Sequence, residues 1–99
     1  MITIEYSENG QAISDFNCDK YIKNIQELIF IDRHYAVSSS IVILAIRAAI
    51  ARKELDHEKI RFKFNGQFLY PDKNGRIEYW PEGFCNFDLK FMDDLIFKP

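Results

Sequence analysis

Few residues of this chain could carry out covalent chemistry, and their spacing keeps most of them apart. Cys18 and Cys85 are the two cysteines, far from each other and at no metal-ligand spacing. A disulfide scaffold shows a denser, even set, so both read as reduced thiols of a cytoplasmic protein. His34 and His57 sit in Asp32-Arg33-His34-Tyr35 and Leu55-Asp56-His57-Glu58. Charged and polar neighbours of this kind mark solvated loop histidines. A thiol or acid–base enzyme would need a nucleophile beside a base, and nothing in the order of residues brings Cys18 to His34 or His57. Asp88, Asp93 and Asp94 fall on an expected helix face. Cation-binding loops instead alternate their ligands around a Gly bend. Asp72-Lys73-Asn74-Gly75 opens like such a loop, but Lys73 stands where an oxygen ligand is needed and no Glu closes it, so it reads as a turn. The four glycines, at 10, 66, 75 and 83, are isolated and no Gly-Lys-Ser/Thr occurs, which excludes a phosphate-cradling loop. The expectation is a chain that is not an enzyme, with no metal and no cofactor.

Two other constellations could bind a macromolecule. Arg47, Arg52, Lys53, Lys59, Arg61 and Lys63 cluster in sequence around Phe62 and Phe64. Cations interleaved with aromatics on a sheet can bind single-stranded nucleic acid. Strict alternation instead favours a Phe face turned inward and a basic face that is simply wet. Thirteen Lys and Arg against fifteen Asp and Glu leave a net charge of −2, without the basic excess of a general nucleic-acid binder. A nucleic-acid accessory using Arg47, Arg52, Lys53, Arg61 and Lys63 is therefore the alternative reading. The favoured one rests on 75–84, Gly-Arg-Ile-Glu-Tyr-Trp-Pro-Glu-Gly-Phe, which holds the only Trp. Pro fixes φ and Gly permits φ > 0, so two bulky aromatics bracket a forced bend. Tyr79, Trp80, Phe84 and Phe87 are either the core of a corner or the anchors of a contact surface, since aromatic anchors dominate interface energies. A protein partner or a homo-oligomer is expected from the second case.

The elements that must position these residues are legible in outline. Ninety-nine residues, 47% hydrophobic and 15% aromatic, make one folded domain. Residues 2–6 alternate as a half-buried strand. Asn9-Gly10 then signals a hairpin, with a short return strand over 12–16. From Asn17 or Asp19 the period becomes helical, with Tyr21, Ile22, Ile25, Leu28 and Ile29 on one face. Leu28-Ile29-Phe30-Ile31 could continue that helix or form a short buried strand. Ser38-Ser39-Ser40 supplies an N-cap for a largely buried helix over 41–55. Ile60, Phe62 and Phe64 alternate up to Asn65-Gly66, a two-residue hairpin turn, and a third strand over 76–80 completes an antiparallel three-stranded meander at about 60–80. Residues 84–97 suggest a closing helix. The class is α+β: a strand or hairpin, two central helices, the meander and a C-terminal helix. The apolar run 41–51 is broken by Arg47 and too short for a bilayer, and 1–6 lacks the pattern of a signal peptide.

From Ala36 onward the chain resembles the C-terminal end of AAA/ABC-type ATPases related to the overcoming-lysogenisation-defect proteins, bacterial enzymes of phage-defence and mobile-element neighbourhoods. The likeness covers residues 36–95. It is carried by Arg47, Ile50, Ala51 and Leu55 on the helix, and by Asp72, Gly75, Ile77, Trp80, Pro81, Gly83 and Phe84. In those ATPases a His in the loop before the helix senses the γ-phosphate. Ser38 stands at that position here, Ala36 and Ser40 replace the flanking acids, and Cys85 replaces a second Phe. The resemblance thus implies a non-catalytic tail-like module, and a short parallel strand at 28–32 leading into the Ser loop.

Overall fold

Alternation at the start of the chain buries Ile2 and Ile4 completely, and this segment becomes the centre of the sheet. In the computed structural model, which describes residues 1–84, the elements are β1 (Ile2–Gln11), α1 (Cys18–Glu27), β2 (Arg33–Val37), α2 (Ser40–Ala51), β3 (Ile60–Phe64) and β4 (Gln67–Leu69). Short 3₁₀ turns precede α1 (Asp15–Asn17) and β3 (His57–Lys59). The four strands lie in the order β2-β1-β3-β4. β1 pairs in parallel with β2, from Ile2↔Arg33 to Tyr6↔Val37, and in parallel with β3, from Ile2↔Ile60 to Glu5↔Lys63. β3 and β4 form the antiparallel hairpin expected around Asn65-Gly66, whose φ angles of 52° and 77° are those of a type I′ turn. The domain is α+β, with a mixed sheet in place of a purely antiparallel meander.

Both helices cover one face of this sheet. Ile22 and Ile25 of α1 and Val42, Ile43, Ile46 and Ile50 of α2 join Ile2, Ile4, Ile60, Phe62 and Leu69 in one core. α1 and α2 lie against each other, and Gln26 Nε2 donates to the Glu54 carbonyl at 3.0 Å. α1 has the expected single apolar stripe, whereas α2 is buried nearly all round, as its Ala-rich apolar sequence predicts. α2 ends earlier than expected, at Ala51. Lys53 adopts φ 66°, Glu54 N–H donates to the Ala49 carbonyl and Lys53 N–H to the Ile50 carbonyl, the paired bonds of a Schellman stop. Among the described residues no helix is long and apolar enough to cross a membrane.

Three expectations are corrected. Asn9-Gly10 makes no hairpin: β1 runs on to Gln11, and Tyr6 and Gln11 both face Val37, so residues between them bulge out of the ladder. A Cβ at Gly10 would lie 2.5 Å from the Val37 backbone; this glycine serves a close approach to β2, and Ser38 N–H donates to the Gln11 carbonyl beyond it. The expected return strand over 12–16 is absent, since Ile13 alone turns inward while its neighbours are exposed. The third meander strand reduces to one bridge, Pro71↔Ile77. Asp72 Oδ1 there accepts from the backbone N–H of both Asn74 and Arg76, which holds the chain in a turn. Residues 28–32 are neither helix nor strand. α1 stops at Glu27, Phe30 and Ile31 stay 88% and 50% exposed, and the parallel strand that enters the Ser loop is β2. The expected C-terminal helix lies outside the described residues except for Phe84.

Candidate functional site

The Trp corner is assembled by two residues distant in sequence. Gly75 brings its carbonyl to Arg47, whose Nε donates at 2.6 Å, and the Arg47 guanidinium lies 4.6 Å from the Trp80 ring centre. Such a cation–π contact is worth about 2 kcal/mol when desolvated. Arg47 is only 2% exposed. Its place in the basic cluster is therefore corrected: it is a core residue that ties α2 to the corner. Pro81 accepts from Phe84 N–H in the turn that follows. Phe84 thereby enters the core, 0% exposed, with its ring 5.0 Å from Trp80, 5.4 Å from Phe64 and 5.8 Å from Tyr6. Phe84 is thus a core hub and not a surface anchor. Trp80 is half-buried on the same cluster. Phe87 lies outside the described residues.

Tyr79 takes the opposite direction and remains 62% exposed. It shares a groove of ≈ 220 Å³ with Gln67, Phe68, Tyr70, Ile77 and Glu78. Tyr70 is 58% and Phe68 39% exposed. This groove runs beside β4, the edge strand of the sheet. Phe68 and Tyr70 were not singled out by sequence. The signal was present in the hairpin alternation, because Leu69 is the inward residue of that strand and its neighbours must then face out.

The remaining cations separate. Arg52 Nε pairs with Glu54 at 2.7 Å, and Lys53 Nζ donates to the Lys73 carbonyl at 2.8 Å. Arg61 and Lys63 lie together on the sheet face away from the helices. Arg61 Nε donates to Thr3 Oγ1 at 2.9 Å, its guanidinium lies 3.8 Å from the Phe68 ring centre, and Lys63 Nζ lies 5.5 Å from the same ring. Phe62 is buried on the opposite face, as alternation required. On the neighbouring strands His34 Nε2 meets Glu5 Oε1 at 2.9 Å.

The reactive candidates stay apart. Cys18 is buried, and its Sγ donates to the Ser14 carbonyl. Burial first, then Asp15 and Asp19, push its thiol pKa up, away from the thiolate needed for attack. Half-buried His57 lies with exposed Asp56 and Glu58, where Asp56 Oδ1 already accepts from Glu58 N–H. A cleft of ≈ 570 Å³ at the carboxyl ends of the parallel strands is lined by Glu5, Tyr6, Glu8, Ser38, Phe64 and Asn65 among others, and no described Cys or His lines it.

One titration follows from the packing of α1 on β2. Tyr21 stacks edge-on against Tyr35 at 5.6 Å, and burial, then Tyr35, push its hydroxyl pKa up to about 12. An unfolded tyrosine ionises near pH 10. The neutral folded form is therefore favoured below about pH 10, and this contribution is lost as pH rises from about 10 to 12. Ultraviolet titration of the folded protein is expected to show a late component near pH 12 that Tyr21→Phe removes. Loss of an early component in Tyr21→Phe, with the late end of the curve unchanged, would contradict it. In comparisons with protein families, curated proteins and solved structures, this chain matches none.

Proposed function

We propose that this chain is a non-enzymatic binding module that docks on a partner protein through the β4 edge. The observation that carries this reading is the grouping of Phe68, Tyr70 and Tyr79, all substantially exposed, around one groove beside an edge strand. Aromatic side chains with a polar end gain contact area at little entropic cost. An edge strand offers backbone groups to an added extended segment. The Arg47–Trp80–Phe84 cluster anchors the neighbouring Trp80 in the chain next to Tyr79, and an anchored backbone lowers the ordering cost of association.

An extended segment of the partner would lie along β4 and place one side chain in the groove. The likeness of Trp80-Pro81-Glu82-Gly83-Phe84 to the tail of the phage-defence ATPases makes an ATPase of that class the first partner to test. We place the module in the cytoplasm, where Cys18 and Cys85 stay reduced. The decisive experiment is affinity capture from host extract with the wild type and the Tyr70→Ala/Tyr79→Ala double variant. The double variant is expected to keep its stability within about 0.5 kcal/mol per site, as exposed substitutions do, and to lose the captured partner. Equal capture by both proteins would overturn the reading. A wild type that runs as a concentration-dependent dimer, and a double variant that runs as a monomer, would assign the same edge to self-association.

A further inference from the structure

We propose that the open outer face of the sheet binds single-stranded nucleic acid. This surface shares Phe68 with the groove beside β4 but uses neither Tyr70 nor Tyr79. Both helices lie on the other face, so Glu5, His34, Arg61, Lys63 and Phe68 reach the surface of the described domain there, while Thr3 is buried and bonded to Arg61. Charge is segregated there. The chain as a whole is acidic, with a net charge of −2, yet among the described residues the strands present one carboxylate on this face, Glu5, which meets His34 at 2.9 Å. Arg61 and Lys63 stand two residues apart on β3, with exposed Arg33 at the margin. A depression of ≈ 360 Å³ beside Arg61 is lined by Met1, Thr3, Asp32, Arg33, His34 and Arg61. Asp32 contributes the one acid of that depression, and it is paired with the Met1 ammonium at 2.8 Å.

The choice between an acidic peptide and a nucleic-acid strand is decided by Phe68. An acidic peptide would use the cations alone. A nucleotide strand would use the cations for phosphate and a flat platform for its base. Arg61 supplies both features at once. Thr3 Oγ1 holds its Nε, and its guanidinium is stacked 3.8 Å from the centre of the Phe68 ring, which remains 39% exposed. The platform is pre-formed, and a flat sheet face suits unpaired bases better than a duplex groove. The basic residues expected from sequence contribute in part: Arg61 and Lys63 belong to this face, whereas Arg47 is core and Arg52 and Lys53 are held by Glu54 and Lys73.

Fluorescence anisotropy of the full chain with labelled oligouridylate and oligothymidylate of about 12 nucleotides, within the site sizes of single-strand binders, tests this. Binding should be measurable at 50 mM salt and fall toward 200 mM. Neutralising two or three phosphates gives a log–log salt slope of about −1.4 to −2.1. Lys63→Gln should make the slope shallower by about 0.7, and Phe68→Ala should weaken binding about 5- to 150-fold. Circular dichroism shows whether each variant is folded, and the wild-type slope needs no variant. The Tyr70→Ala/Tyr79→Ala protein should bind the strand normally. No binding at 50 mM, a slope near zero, or an unchanged affinity in folded Phe68→Ala would overturn the proposal. Equal competition by polyglutamate would overturn it in favour of an acidic peptide, and loss of binding in the Tyr70/Tyr79 variant would overturn it in favour of the groove.

Discussion

Phe84→Ala is expected to remove about 3–5 kcal/mol of stability, the range for truncating a buried Phe. Phe84 is 0% exposed and lies within 6.4 Å, ring centre to ring centre, of Tyr6, Phe62, Phe64 and Trp80. Those partners come from β1, β3 and the corner, so the vacancy would open between elements and could not be filled by one of them moving. Domains of this size hold only about 5–15 kcal/mol in total. The melting temperature should therefore fall by tens of degrees, at about 4–8 °C for each kcal/mol. Denaturant unfolding measures the loss directly. Phe84→Leu should recover part of it, because Leu still fills much of the volume. A loss under about 1 kcal/mol, typical of a surface site, would show that Phe84 is no hub and that the corner is a free surface.

Gly75→Ala is the second large effect, at about 2–5 kcal/mol. Gly75 has φ 76°, and a Cβ there would lie 2.2 Å from the Arg47 carbonyl oxygen and 3.0 Å from its carbon. The left-handed conformation costs a residue with a Cβ about 1–2 kcal/mol. Forcing apart packed backbone costs about 1–3 kcal/mol more. Gly66→Ala separates the two contributions, since Gly66 has nearly the same φ, 77°, and nothing within 4 Å of its added Cβ. It should lose the conformational part alone. Arg47 surrounds Gly75, with its own carbonyl on one side and its Nε on the Gly75 carbonyl at 2.6 Å. The effects of Gly75→Ala and Arg47→Met should accordingly be non-additive in a double-mutant cycle, as for residues in direct contact. Additive losses would mean that the two act separately.

The parts of the fold that were legible are those governed by local chemistry. Asn65-Gly66 between alternating strands specified the β3–β4 hairpin, because a type I′ turn sets register within a few residues. The Ala-rich apolar stretch specified α2, whereas Ser39 stands at its N-cap without a capping bond and its Oγ accepts from Ile13 N–H instead. Parallel pairing has no such local mark. β1 meets β2 and β3 through residues 31 and 58 positions away at Ile2↔Arg33 and Ile2↔Ile60, so the same Asn-Gly signal that was correct at 65–66 misled at 9–10. There the glycine was needed for contact with the Val37 backbone.

The candidate surfaces divide in the same way. Alternation alone turned Phe62 inward and Arg61 and Lys63 outward. It could not say that Arg47, a lone cation in an apolar helix, would be buried, since its partner carbonyl is 28 residues away. Nor could it separate Tyr79 from Trp80 and Phe84, because a turn through Pro81 decides which aromatic enters the core. By itself, then, the sequence determined the class, α2, the β3–β4 hairpin and an aromatic corner, all set by near neighbours. Only the tertiary structure decided the central place of β1, the face of the sheet that both helices cover and which of the described aromatics and cations reach the surface. Those depend on contacts between distant segments, and their gain in buried area overrides local preference.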